Sequence, residues 1–193
     1  MSRGPHSTEQ MIALHGFFAE AAAVGESALA DQSGSTTEVE VVEVRCGALQ
    51  EFGDRGLRAC DDLVAAVMGR LEGGLPGSLG LALEPEEALA WARVGDAPDP
   101  LDAFVALGRV LLEGVAASLS EVLRVETSLH DARLVETSEP CLLAETHAPS
   151  DTLVVSARLR IEVRDEAVSA VAHLLVEPKY FARLLSALAA AIH

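Results

Sequence analysis

The stretch LALEPEEALAWA, residues 81–92, is matched later in the chain by LLVEPKYFARLL, residues 174–185. Each reads as a short apolar strand, then Glu-Pro, then the opening of an amphipathic helix. Proline suits the first helical position, where its missing N–H costs nothing. Working outward, GESAL (25–29) and VAASL (115–119) sit in two helical stretches, and each stretch runs into a strand rich in Val, Thr and Glu. The same order of elements therefore occurs twice. It predicts an α+β fold with a pseudo-two-fold repeat, in which two long helices cover one face of an antiparallel sheet. The clearest break is GDAPDP (95–100), so the halves are placed at about residues 8–95 and 99–193 of a single domain. Residues 1–7, MSRGPHS, read as an untethered tail.

Local signals fill in this frame. A first helix is predicted from about Thr8 to Asp31, capped by Ser7 or Thr8, with Glu9 complementing the helix dipole. Met11, Leu14, Phe18, Ala22 and Leu29 give it one apolar stripe, and QSGS (32–35) ends it. A second is predicted from Asp99, the cap, to Leu123, with Pro100 in its first turn and Phe104, Leu107, Leu111, Val115, Leu119 and Val122 as its apolar face. TEVEVVEV (37–44) is a strand, and RVETSLHDARLVE (124–136) is extended chain. LVAAVMGRLE (63–72) and SLGLALE (78–84) form a hairpin across GGLPG (73–77). LVVSARLRIEVR (153–164) alternates strictly, which predicts one buried and one wet face and suits a sheet edge used for dimerisation. Arg164-Asp165-Glu166 turns the chain into AVSAVAHLLVE (167–177), and a closing helix packs Phe181, Leu184, Leu185 and Leu188. Residues 46–61 hold a short helix or a turn.

Composition excludes several functions. Thirty acidic residues against 14 basic ones give a net charge of −16. Nucleic acids and anionic membranes are bound through Lys and Arg, so neither is an expected partner. Cys46, Cys60 and Cys141 show no metal or disulfide spacing and read as buried thiols of a reducing cytoplasm. No signal peptide and no uncharged apolar run of spanning length is found. His15, His130, His147 and His173 are isolated; His15 reads as a buried or half-buried structural residue, and none has a Ser or Cys in a nucleophile context. Neither a metal nor an organic cofactor is expected. Trp91 reads as core.

The order of elements, with ESALADQSG before TEVEVVEV, RLEGGLPGSLGLALEPEEAL, ALGRVLLEGVAASLSEVLRVETSLHDARLV and VEPKYFARLLSAL, resembles the CheC/CheX/FliM family of bacterial chemotaxis proteins. The resemblance covers the chain from about Met11 to Ala187. It implies two pseudo-symmetric halves, each with one long helix. Active members of that family dephosphorylate the phospho-aspartate of CheY-like response regulators, using Glu-x-x-Asn on those helices. An amide can orient the attacking water in line with phosphorus. A carboxylate one turn away, on the same helix face, can hold the regulator's lysine.

Counting back from Leu119-Ser120, the glutamate position falls on Ala106 and the asparagine position on Arg109. Counting back from Leu29, the first helix offers Gly16 and Ala19. A slip of one residue offers His15 with Phe18 or Phe17 with Glu20, and none of these is the required pair. Glu51-x-x-Asp54 is a chance match in a Gly-rich segment. The catalytic motif is therefore expected to be missing.

The resemblance points to a binding or adaptor protein of a chemotaxis-like or two-component pathway. Its expected partners are a receiver domain, a CheD-like protein or a second copy. Arg109 and Glu113 are the leading candidate contacts, with Asp102, His15 and Glu20 on the two long helices. The plainer reading of Arg109 is a solvated side chain paired with Glu113. Gly73, Gly74 and Gly77 join the candidates because the FliM branch uses a glycine-rich loop there in partner binding; a hairpin needs such residues anyway. Two alternatives stand beside the adaptor: a phosphatase with altered chemistry at Arg109, Glu113 or Glu20, and a FliM-like assembly component.

Overall fold

The computed structural model describes residues 7–50, 52, 63–95, 97–138, 142–143, 146, 148–163 and 166–191. Helix α1 spans Thr8–Ser33 and leads into strand β1, Thr37–Ala48. Strands β2 (Leu63–Gly73) and β3 (Gly77–Leu83) form the first hairpin, and helix α2 (Pro85–Ala92) follows. Helix α3 (Pro100–Leu123) opens the second half, with β4 (Thr127–Ser138), β5 (Leu153–Val163), β6 (Glu166–Val176) and α4 (Pro178–Ala191) after it.

The caps form as the residue types dictate. Ser7 caps α1 through a reciprocal box with Gln10, its side chain accepting from the Gln10 N–H and its own N–H donating to the Gln10 side chain. Asp99 caps α3, its carboxylate accepting from the Leu101 N–H at 2.7 Å. At the far ends both helices close in a left-handed residue: Gly34 at φ 61° and Arg124 at φ 53°. Glycine takes this conformation freely; arginine takes it at a cost, held by its N–H to the Glu121 and Ser120 carbonyls.

The repeat is legible to the residue. β1 and β4 begin at Thr37 and Thr127 and end at Ala48 and Ser138, a shift of 90 residues at both ends. Leu63 and Leu153, which begin β2 and β5, keep the same shift. The sheet runs β1-β5-β6-β3-β2-β4 with every neighbour antiparallel. Each half's first strand thus pairs with the second strand of the other half, β1 with β5 and β4 with β2. The pseudo-axis passes between β3 and β6. Both first strands carry an irregularity at equivalent places, β1 between Val41 and Glu43 and β4 opposite Met68 to Arg70.

The main core lies between the sheet and the helices, built on Leu14, Phe17, Phe18, Trp91, Phe104 and Leu107 among others. Trp91 meets Phe104 edge to face at 6.1 Å, and Phe17 meets Phe18 at 5.2 Å. Each such buried side chain contributes about 1.5–3 kcal/mol. α3 is long and apolar enough to span a membrane, with mean hydropathy 1.5, and yet 61% of that stretch is buried inside the fold. The helix carries Asp102, Arg109, Glu113 and Glu121, so it is not an uncharged run; α3 is a core helix of the fold.

Two expectations for β5 also change. It is not an edge, for β1 covers one side and β6 the other. Nor is its second face wet throughout: Leu153 to Ala157 are all buried, and only Arg160 is fully exposed. On that outer face Phe52 and Leu143 pack over Val154 and Leu175, while Leu142 packs over Val64, Ala66 and Ala82. Phe52, Leu142 and Leu143 thus cover part of the sheet from outside, which alternation along one strand cannot foresee. Residues 1–6 of the expected tail, most of the 46–61 segment, the Glu51–Asp54 match, the Arg164-Asp165 turn, Cys60, Cys141 and His147 lie outside the described residues.

Candidate functional site

The two long helices pack together on the sheet, and small residues let them approach. A Cβ added to Gly114 would stand 3.0 Å from the Gly25 nitrogen and 3.1 Å from its Cα. A Cβ on Gly25 would in turn meet Leu111 at 2.6 Å. Burial fixes which positions are equivalent. The buried residues of α1 are Leu14, Phe17, Phe18, Ala21, Ala22, Gly25, Leu29 and Ser33. Moved by 90, they fall on Phe104, Leu107, Gly108, Leu111, Leu112, Val115, Leu119 and Leu123, every one buried.

In that register Gly16 and Ala19 correspond to Ala106 and Arg109. Gly16, Ala19 and Arg109 are exposed and Ala106 is half-buried. The alternative pairs fall away, because Phe17 and Phe18 are core. None of the four positions carries a carboxylate or an amide.

The Arg109 Nε donates to Glu113 Oε1 at 2.7 Å, one turn along α3, with the side chains 59% and 47% exposed. Such a pair contributes only about 0.3–0.5 kcal/mol. It leaves the other guanidinium donors without a partner among the described residues. The equivalent positions on α1 are Ala19 and Ala23, so the polar pair has no counterpart in the first half. Asp102 is exposed in the first turn of α3. Glu20 is exposed on α1, and so is His15, which corrects the buried structural reading. Among the described residues no hydrogen bond or ion pair joins His15, Glu20 or Asp102 to Arg109 or Glu113.

The glycine-rich hairpin lies elsewhere and has a packing role of its own. Gly73 has φ 96°, and a Cβ on it would stand 2.1 Å from the Glu126 carbonyl oxygen. Gly74 N–H donates to that same carbonyl at 2.8 Å, and its own carbonyl accepts from Arg183 at 3.3 Å. A Cβ on Gly77 would meet the Leu175 carbonyl oxygen at 2.2 Å. The hairpin is thus clamped between the α3–β4 connection, β6 and α4.

Sequence reasoning missed two features. His173 is not isolated: its Nδ1 lies 2.7 Å from Ser156 Oγ across the β5–β6 ladder, and both residues are fully buried. No substrate reaches this hydroxyl, so the pair is structural. Ser120, read as part of a Leu-Ser signature, accepts from the Thr127 N–H at 2.8 Å and fastens the end of α3 to the start of β4. Cys46 is half-buried on β1. No group of three or more potential metal ligands occurs among the described residues.

The whole architecture has been seen before. FliY of Thermotoga maritima superposes with a TM-score of 0.74 at 13% identity, over 95% of this chain and 98% of that one. The chain has the FliY/FliM middle-domain fold. The H. pylori FliM middle domain matches with a TM-score of 0.64 at 12% identity, over 94% of this chain and 99% of that one. FliM in the H. pylori FliM–SpeE complex gives 0.67 at 11% identity, over 96% and 97%. No protein-family model and no curated protein sequence matches the chain. The same fold is thus found here at sequence identities of 11–13%.

Proposed function

We propose that this chain is a binding protein of a bacterial chemotaxis-like or two-component pathway, acting in the cytoplasm through the outer face of α1 and α3 and without hydrolysing phospho-aspartate. The observation that carries this reading is the chemistry at the four equivalent helix positions, Gly16, Ala19, Ala106 and Arg109. A water cannot be oriented by a methyl group or a hydrogen. Arg109 donates only and cannot accept from the water, so it cannot take the place of an amide that does both. The Arg109–Glu113 pair instead offers one cation and one carboxylate to a protein surface.

The preferred partner is the receiver domain of a response regulator, with a CheD-like protein or a second copy as the other candidates. Solved FliM structures from H. pylori include complexes with FliG and with SpeE, so a protein of this fold engages other proteins.

Titration against receiver domains from the same genome, phosphorylated and unphosphorylated, tests the reading. Saturable binding that weakens in Arg109→Ala is the expected result. Absence of binding to any of them removes the proposal. Accelerated loss of phosphate that disappears in Arg109→Ala would restore the enzyme reading.

A further inference from the structure

The sheet face turned away from the long helices holds a cavity of about 410 Å³ lined by residues of β2, β3 and β4 and by Leu142 and Thr146. That volume lies in the range of small-molecule sites. Its floor is apolar, with Met68 and Leu142 buried there. Its rim carries Arg70, Arg133, Asp131 and Ser78.

Three observations set this cavity apart. First, in a chain of net charge −16, two of the 14 basic residues converge on it. Second, Arg70 is held in place by carboxylates on two sides, with Glu72 at 2.7 Å and Asp131 at 3.3 Å from the same terminal nitrogen. Asp131 does this from a left-handed backbone, φ 54°, at the strand irregularity opposite Gly69. A non-glycine residue in that conformation is strained, and strain of this kind persists where the surroundings demand it. The equivalent residue of the first half is Val41, which is not left-handed. Third, Arg133 has no ion-pair or hydrogen-bond partner among the described residues, although acids outnumber bases about two to one. Asp131, two positions away, is committed to Arg70.

The geometry points to a binding site for a small organic oxyanion with an apolar body, a carboxylate or a phosphate monoester. Arg133 supplies the uncompensated charge, Arg70 its remaining donors and Ser78 a hydroxyl; the body lies on Met68 and Leu142. A planar guanidinium fork matches either oxyanion. The first half lacks the site, because Glu43 stands at the place of Arg133 and Phe52 at that of Leu142. This site faces away from α1 and α3, and its fate is independent of the function proposed above.

Calorimetric titration of the full chain with benzoate and with phenyl phosphate, beside benzyl alcohol, tests it. Saturable binding of one anion at least tenfold tighter than benzyl alcohol is expected, and the tighter of the two identifies the headgroup. Binding should fall at least tenfold in Arg133→Gln and in Ser78→Leu, which fills the cavity, and stay unchanged in Arg109→Gln. Arg133 is exposed and Ser78 half-buried, and an unchanged melting temperature shows that each variant is folded. No saturable binding of either anion, equal binding of benzyl alcohol, or binding indifferent to Arg133→Gln would overturn the assignment.

Discussion

Gly114 of α3 rests on the backbone of Gly25 of α1, so close that an added Cβ would stand 3.0 Å from the Gly25 nitrogen. The neighbour here is main chain, which cannot swing aside. Gly114→Val should destabilise the fold by about 1–3 kcal/mol or more, despite the higher helix propensity of the new residue. Gly16→Ala should do the opposite. Nothing lies within 4 Å of a Cβ there, and mid-helix alanine gains roughly 0.5–1 kcal/mol over glycine. Urea denaturation of the two variants checks both signs.

Arg109→Ala removes an exposed i, i+4 pair and should cost no more than about 0.5 kcal/mol of stability. Its effect should appear in partner binding. A melting temperature that drops by ten degrees would show that Arg109 is structural and not a contact residue.

Asp99→Ala removes the side-chain acceptor for the Leu101 and Asp102 N–H groups at the start of α3. A loss of about 1 kcal/mol is expected in chemical denaturation. Asp99→Ser should recover most of it, since a hydroxyl caps nearly as well.

Gly73→Ala forces a side chain into a left-handed position and against the Glu126 carbonyl. The expected loss is at least about 2 kcal/mol, from strain combined with the broken approach. Leu75 is fully buried in the same loop, and Leu75→Ala should cost about 2–5 kcal/mol. If Gly73→Ala melted like the parent chain, the clamp on the hairpin would be refuted and a pure binding role for the glycines would return.

Much of this molecule could be read before any coordinates. The capping residues Ser7 and Asp99, the Glu-Pro helix starts and the apolar stripes of α1 and α3 are local signals. They depend on residues a turn apart, so a linear reading reaches them. The doubling was legible for the same reason, because both halves spell out their elements in one order. The absence of a Glu-x-x-Asn pair at 16/19 and 106/109 also follows from counting along a helix.

What the chain does across itself stayed hidden. The strict alternation of residues 153–163 is the pattern of a half-wet strand, yet β5 is internal and its first half is buried on both faces. Only the swapped pairing of β1 with β5 and β4 with β2, and the crossing segments that carry Phe52 and Leu142, decide that. The same holds for Ser156 with His173, 17 residues apart in sequence and cross-strand neighbours in the sheet. It holds again for Arg70 and Asp131, 61 residues apart and joined at one corner of the outer cavity. Sequence alone determined the elements, because each is fixed by neighbours within a turn or a pleat. Tertiary structure alone decided which faces are wet and which charges meet, because burial is a property of surfaces brought together from distant parts of the chain.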